Sequence, residues 1–195
     1  TLRRSSAASD VYKRQRCAYC DSSYAFQGGT PRSIHELLKE AQSIGVLRVC
    51  VTGGEPLAQP NCLPLLGALC DAGFEVSLET SGAIDITGVD KRVSIVLDLK
   101  TPGSGESSKN LLSNLALIRS KDQIKVVVTS EDDFRWFELF CDEHPAVFDA
   151  GVVWISPSYG EIDLQLLASL ILSSKYPYRM QLQLHKQIWG EESGR

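Results

Sequence analysis

The sequence predicts an α/β fold built on a mainly parallel sheet, and three observations carry that prediction. Six short strand-like runs, at 46–52, 75–80, 93–100, 123–130, 150–157 and 178–186, are separated by stretches with helical apolar spacing. Each run ends in polar residues and turn formers: "TGGEP", "ETSG", "DLKTPGSG", "VTSEDD", "SPSYG" and "LHK". No internal repeat or low-complexity block interrupts the alternation. Such alternation implies right-handed βαβ units and suits either a partial barrel or an open sheet. In both, ligands bind where the strands end, so six polar ends along one rim predict the mouth of a site.

Each element has its own local reason. In "PRSIHELLKEAQSIG" (31–45), Pro31 suits a first turn, Ile34, Leu37, Leu38 and Ala41 form a stripe, and Gly45 ends the helix. "VLRVCVT" (46–52) is a buried strand running into Gly53-Gly54-Glu55-Pro56. "CLPLLGALCDAGF" (62–74) is a helix stopped at Gly73, and "EVSLET" (75–80) a strand ending at Ser81-Gly82. "VSIVLDLK" (93–100) is the next strand, "KNLLSNLALIRS" (109–120) a helix and "QIKVVVTS" (123–130) a strand. "EDDFRWFELFCDEH" (131–144) is an amphipathic helix whose first-turn acids suit the helix dipole. "AGVVWISP" (150–157), "EIDLQLLASLILSS" (161–174) and "YRMQLQLHK" (178–186) complete the pattern as strand, helix and strand.

A length of 195 residues suits one domain with a real core, and 43% apolar with 23% charged residues is an ordinary globular balance. A net charge of −4 gives no reason to expect nucleic acid or an anionic membrane as partner. The longest apolar runs fall well short of the roughly 20 residues that span a bilayer. The first residues also lack the apolar core of a signal peptide, so a soluble cytoplasmic protein is expected.

Residues 1–15 are basic, Ser-rich and without apolar periodicity, and "DVYKRQ" (10–15) resembles a translated transposon end used in sequencing-library preparation. That segment is expected to be a non-native scar, the alternative being a natural basic tail. Residues 16–195 then form the domain proper, its own N-terminus lost.

Of six cysteines, Cys50, Cys62, Cys70 and Cys141 lie in strand- or helix-like runs and are expected to be buried small hydrophobes. Cys17 and Cys20 alone have the spacing of ligands. Taken by itself, Cys17-Ala-Tyr-Cys20 is compatible with half a zinc site, a redox pair or chance thiols.

Joined to Gly53-Gly54-Glu55-Pro56 at the end of the next strand, the pair resembles the radical S-adenosylmethionine enzymes. Their motif is Cys-x3-Cys-x2-Cys with an aromatic before the last cysteine. Cys17 and Cys20 match the last two thiolates and Tyr19 the aromatic; three such thiolates hold a [4Fe–4S] cluster and leave one iron open. The first cysteine would fall at position 13, which is lysine. With two thiolates the chain is expected to hold a cluster poorly and to be inactive.

"CDSSYAF", "TGGEPL", "LETSG", "LDLKTPGSG" and "QLQLHKQIWG" resemble the 7-carboxy-7-deazaguanine synthase family, from Arg16 to about Gly190. The resemblance implies a partial TIM-type barrel and a lyase of queuosine and 7-deazapurine biosynthesis. In that family 6-carboxy-5,6,7,8-tetrahydropterin undergoes radical ring contraction with loss of ammonia. The reduced cluster cleaves S-adenosylmethionine, and the 5′-deoxyadenosyl radical takes a substrate hydrogen.

The resemblance places Tyr19, Asp21, Gly53, Gly54, Glu55, Ser81, Asp98 and Lys100 at the cofactor, and Thr52 and His185 at the substrate. Ser22 stands where the family's Mg²⁺ hydroxyl is expected, as serine in place of threonine. The family's substrate-binding segment ahead of the first cysteine, with its arginine, has no counterpart here. A homodimer and a flavodoxin-like electron donor are further implications. An activase of the glycyl-radical type and a zinc- or nucleotide-binding α/β module are the alternatives.

Overall fold

In a computed structural model, the described residues are 17, 18 and 30–190. Helix α1 (Ile34–Ile44) opens on a capping box: Ser33 Oγ accepts from the Glu36 N–H at 3.2 Å, and Glu36 Oε2 accepts from the Ser33 N–H at 2.7 Å. It closes at Gly45, where a φ of 72° favours glycine. Strand β1 (Arg48–Val51), helix α2 (Cys62–Asp71) and strands β2 (Glu75–Thr80), β3 (Ser94–Lys100) and β4 (Gln123–Val128) follow. Helix α3 (Glu131–Glu143), strand β5 (Val152–Pro157), helix α4 (Leu164–Ser173), strand β6 (Arg179–Met180) and helix α5 (Leu184–Trp189) complete the order. Among the described residues no helix is long and apolar enough to cross a membrane.

All six strands are parallel and lie in chain order, β1-β2-β3-β4-β5-β6. Order in space following order in sequence means that every right-handed crossover steps the same way and puts its helix on the same face. A doubly wound sheet reverses direction at a switch point, and this one has none. Between the two architectures compatible with strand–helix alternation, the sequential order selects the barrel-type winding.

The two faces differ accordingly. On one, Leu97, Ile124 and Val153 are register partners, as are Leu99, Val126 and Ile155. These residues join Leu66 and Leu69 of α2, Phe134, Phe137 and Cys141 of α3 and Leu167 of α4 in one buried core. On the other face Glu79 and Arg179 are exposed, while Val96, Gln123, Asp98, Lys125 and Trp154 are half-buried. Parallel sheets are usually covered on both faces. A polar face left open by the described helices is what the inner wall of a partial barrel presents to a ligand.

Three expectations are corrected. The helix expected over 109–120 is two 3-10 turns, Ser107–Lys109 and Leu112–Leu117. Two asparagines hold the segment in this form. Asn110 exchanges hydrogen bonds with the Lys100 backbone at 3.0 and 2.8 Å, and buried Asn114 bonds Ile86 N, Gly82 O and Ile84 O. The strand expected over 178–186 is only Arg179–Met180, and its second half is α5. The β6 edge pairs only with β5, ending where Gln181 N–H donates to Ile155 O at 2.9 Å; beyond it Leu184 and Ile188 recur at helical spacing. Cys50 is exposed, not buried, because Val49 takes the core-facing position beside it. Cys62 and Cys141 are buried as expected, and burial pushes both thiols up to about 11.

Candidate cofactor and substrate site

The polar strand ends gather at one rim, beginning with the turn after β1. Gly53 and Gly54 have φ of 100° and 53°, the left-handed region that L-residues rarely adopt. A Cβ at either would find no atom of the described residues within 4 Å. The glycines are therefore set by backbone conformation, and the described residues leave the space beside them open.

Glu55 is buried, at 5% exposure, and ties this turn to β2. Its carboxylate accepts from Leu57 N–H at 3.1 Å, Thr80 Oγ1–H at 2.9 Å, Ser81 N–H at 2.8 Å and the Ser81 hydroxyl. Four intrachain donors occupy Glu55, and two of them belong to Ser81. The pair holds the β1 and β2 ends together beneath the diglycine turn. Glu55→Gln replaces half of this acceptor set by a donor facing Ser81, so a loss of about 2–3 kcal/mol is expected from the urea midpoint. A loss below about 0.5 kcal/mol would show that the Ser81 donors find other acceptors at no cost.

Asp98 and Lys100 project from the end of β3 on the open face. Lys100 is 7% exposed, and its Nζ lies 2.6 Å from Asp98 Oδ2. The ammonium also hydrogen-bonds the Cys17 thiol. Burial alone pulls the lysine pKa down, but the Asp98 carboxylate and the Cys17 sulfur outweigh it and the net shift is upward. Next to Cys17, the Ala18 N–H donates to Ser104 O at 3.2 Å. The cysteine segment is thereby seated on the β3 end. Asp98 Oδ1 is buried and has no hydrogen-bond partner among the described residues.

Thr52 is exposed at the β1 end, its Oγ1 3.4 Å from Glu79 Oε2, and Cys50 Sγ lies 3.8 Å from Glu79 Oε1. Glu79 did not stand out in the sequence. Its signal was strand parity, since Glu75, Ser77 and Glu79 alternate with buried Val76, Leu78 and Thr80. Tyr19, Cys20, Asp21 and Ser22 lie outside the described residues, as does the side chain of His185, whose backbone belongs to α5.

A sequential parallel sheet with a cysteine loop seated on one strand end and a diglycine turn at another defines a radical S-adenosylmethionine enzyme. A family profile described as the Radical SAM superfamily matches residues 14–100. The 7-carboxy-7-deazaguanine synthase of Chlorobaculum tepidum is 37% identical over 180 residues, covering 91% of this chain and 81% of the relative. That of Methanospirillum hungatei is 42% identical over 174 residues, covering 88% and 71%. QueE from Escherichia coli shares the fold with a TM-score of 0.63 at 21% identity, over 86% of this chain and 79% of its own. The chain belongs to the 7-carboxy-7-deazaguanine synthase family.

Membership implies S-adenosylmethionine and a [4Fe–4S] cluster, and the residues present fit the two differently. The open space at Gly53 and Gly54 and the unpartnered Asp98 Oδ1 fit an aminoacyl group carrying N–H or O–H donors. The cluster's donor set is incomplete: Cys17 and Cys20 supply two thiolates and position 13 is lysine. Among the described residues no group of three or more His, Cys, Asp or Glu side chains could hold a metal ion. At the positions of the family's motif the sequence therefore offers two of the three cysteines.

Proposed function

We propose that this fold serves the conversion of 6-carboxy-5,6,7,8-tetrahydropterin to 7-carboxy-7-deazaguanine with loss of ammonia. The observation that carries the reading is the coincidence, at one rim, of the diglycine turn, the orphaned Asp98 oxygen and the Cys17 segment. The name borne by relatives covering most of this chain, 7-carboxy-7-deazaguanine synthase, supports the product.

In this reading residues 16–195 form the core domain. Gly53 and Gly54 receive the methionine end of S-adenosylmethionine, while Asp98 accepts from its donors. Lys100 holds Asp98 oriented and faces the cysteine leg. Glu55 and Ser81 act one layer below, keeping the two turns in register, and Tyr19 and Asp21 flank the cofactor. Thr52 and His185 contact the pterin, and Ser22 offers Mg²⁺ a hard hydroxyl oxygen. A cytoplasmic homodimer served by a flavodoxin-like donor completes the proposal. The lysine at position 13 leaves the sequence as it stands without the third cluster thiolate, and so inactive.

The test is product formation. A Lys13→Cys chain, reconstituted anaerobically with iron and sulfide, is incubated with reductant, S-adenosylmethionine, Mg²⁺ and carboxytetrahydropterin. Mass spectrometry should show 7-carboxy-7-deazaguanine and 5′-deoxyadenosine. Formation of 5′-deoxyadenosine without the deazaguanine would keep the class of chemistry and discard this substrate.

A further inference from the structure

Strand β3 outlasts its neighbour on one side. Its register with β2 ends at Thr80 opposite Leu97, while its register with β4 continues through Asp98, Leu99 and Lys100. The chain leaves β2 at Ser81-Gly82, so among the described residues no strand stands beside Lys100 on that side.

Asn110 takes the vacant place. Its Oδ1 accepts from the Lys100 N–H at 3.0 Å, and its Nδ2–H donates to the Lys100 carbonyl at 2.8 Å. A primary amide carries the same donor and acceptor as a peptide unit, so one side chain supplies the pair of bonds a neighbouring strand would have given. On the β4 side the strand end is held by register with Val127, and Thr101 Oγ1–H donates to Val127 O at 3.1 Å. The Lys100 backbone is thus clamped from both sides.

The segment around Asn110 has separate ties to the turn after β2. Leu111 N–H donates to Gly82 O at 3.0 Å, and buried Asn114 bonds Gly82 O, Ile84 O and Ile86 N. What the Asn110 side chain adds to these ties is a fixed Lys100. From that peptide the lysine stem carries its ammonium to Asp98 Oδ2 at 2.6 Å and to the Cys17 thiol. A flexible four-carbon stem keeps one direction only when both of its ends are held. Asp98 and Cys17 hold the far end, and Asn110 holds the near one.

We propose that Asn110 is a positioning residue for the cofactor rim: its amide stands in for a strand, fixes Lys100, and through Lys100 places the Asp98 carboxylate and the Cys17 leg. The inference rests on the proposed function in giving Lys100 and Asp98 their task at the rim.

Lysine acylation tests it. The full chain is treated briefly with acetic anhydride, and the initial rate at each lysine is followed by peptide mass spectrometry. Lys100, buried against Asp98, should react slowly, and exposed Lys175 quickly. Asn110→Ala should accelerate acylation of Lys100 about tenfold, the opening expected when two hydrogen bonds at a strand end are lost, and leave Lys175 within about twofold. Asn114→Ala is the comparison. It removes three hydrogen bonds from a fully buried side chain and should lower the urea midpoint at least as far. None of those bonds reaches Lys100, so its acylation should stay within about twofold. Equal acceleration in both variants would reduce Asn110 to a contribution to general stability. An unchanged Lys100 in Asn110→Ala would show that Asp98 and Cys17 place the ammonium without it. Either result overturns the proposal. If an alanine variant does not fold, Asn110→Ser and Asn114→Ser are read by the same criteria. No cluster or turnover enters the measurement, so its result stands whether or not the proposed substrate is converted.

Discussion

Lys13→Cys is expected to raise the iron retained after reconstitution and desalting by at least about a hundredfold, with the spectroscopic signature of a reduced [4Fe–4S] cluster appearing only in the variant. Loss of a partner that merely orients a metal ligand costs 10–100-fold in affinity as an order of magnitude, so loss of one of three ligands costs more. The lysine also puts a positive charge where a thiolate would be negative. Lys13→Ser separates the two effects by removing the charge without supplying sulfur. It should stay close to the unsubstituted chain. Equal iron retention by the unsubstituted chain would mean that another thiol completes the site, and Cys50, exposed on the open face of β1, would be the first to substitute.

The first five strands were legible because each is a short run with β-branched residues bounded by turn formers, and β2 spans the expected residues to the letter. The sequential strand order was not, since alternation alone serves both a barrel and a doubly wound sheet. The sequence pattern also misjudged segments whose backbone is captured by side chains from elsewhere. Leu111, Leu112, Leu115 and Leu117 look helical, but Asn110 and Asn114 bind the β3 end and the 82–86 loop, contacts separated by 10 to 32 residues. "QLQLHK" alternates like a strand, yet β6 pairs with β5 over Arg179–Met180 alone, and the chain beyond turns into α5.

The site was half legible. Gly53, Gly54, Asp98 and Lys100 announced themselves by strand-end position. Glu55 was expected at the cofactor from its motif alone, and the four intrachain donors that make it a tie between turns could not be read from the sequence. The contact of Lys100 with Cys17 joins residues 83 positions apart, and local pattern says nothing about such a pairing.

Gly103→Ala is expected to cost about 3 kcal/mol of stability and to loosen Cys17, because the Thr129 and Asp133 side chains close on Gly103. A Cβ there would lie 2.2 Å from Thr129 Oγ1, 2.3 Å from Asp133 Oδ2 and 3.0 Å from Asp133 Cγ. Asp133 cannot swing aside cheaply. Its buried carboxylate accepts from Gly103 N–H at 2.8 Å, Thr129 N–H at 3.0 Å and Thr129 Oγ1–H at 2.7 Å. Moving it breaks all three bonds at the start of α3.

The alternative is for the 102–104 turn to move, and that turn carries the Ser104 carbonyl to which Ala18 donates. Either response reaches the cysteine segment. Gly45→Ala is the comparison: its φ of 72° is strained for alanine, but no atom lies within 4 Å, so only about 1–2 kcal/mol is at stake. Urea midpoints should rank the two variants in that order. Alkylation of Cys17, followed by peptide mass spectrometry, should accelerate several-fold in Gly103→Ala and not in Gly45→Ala. If Gly103→Ala lost stability while Cys17 alkylation stayed unchanged, the turn would be a packing feature alone, and the seat of the cysteine segment would have to rest on its contact with Lys100.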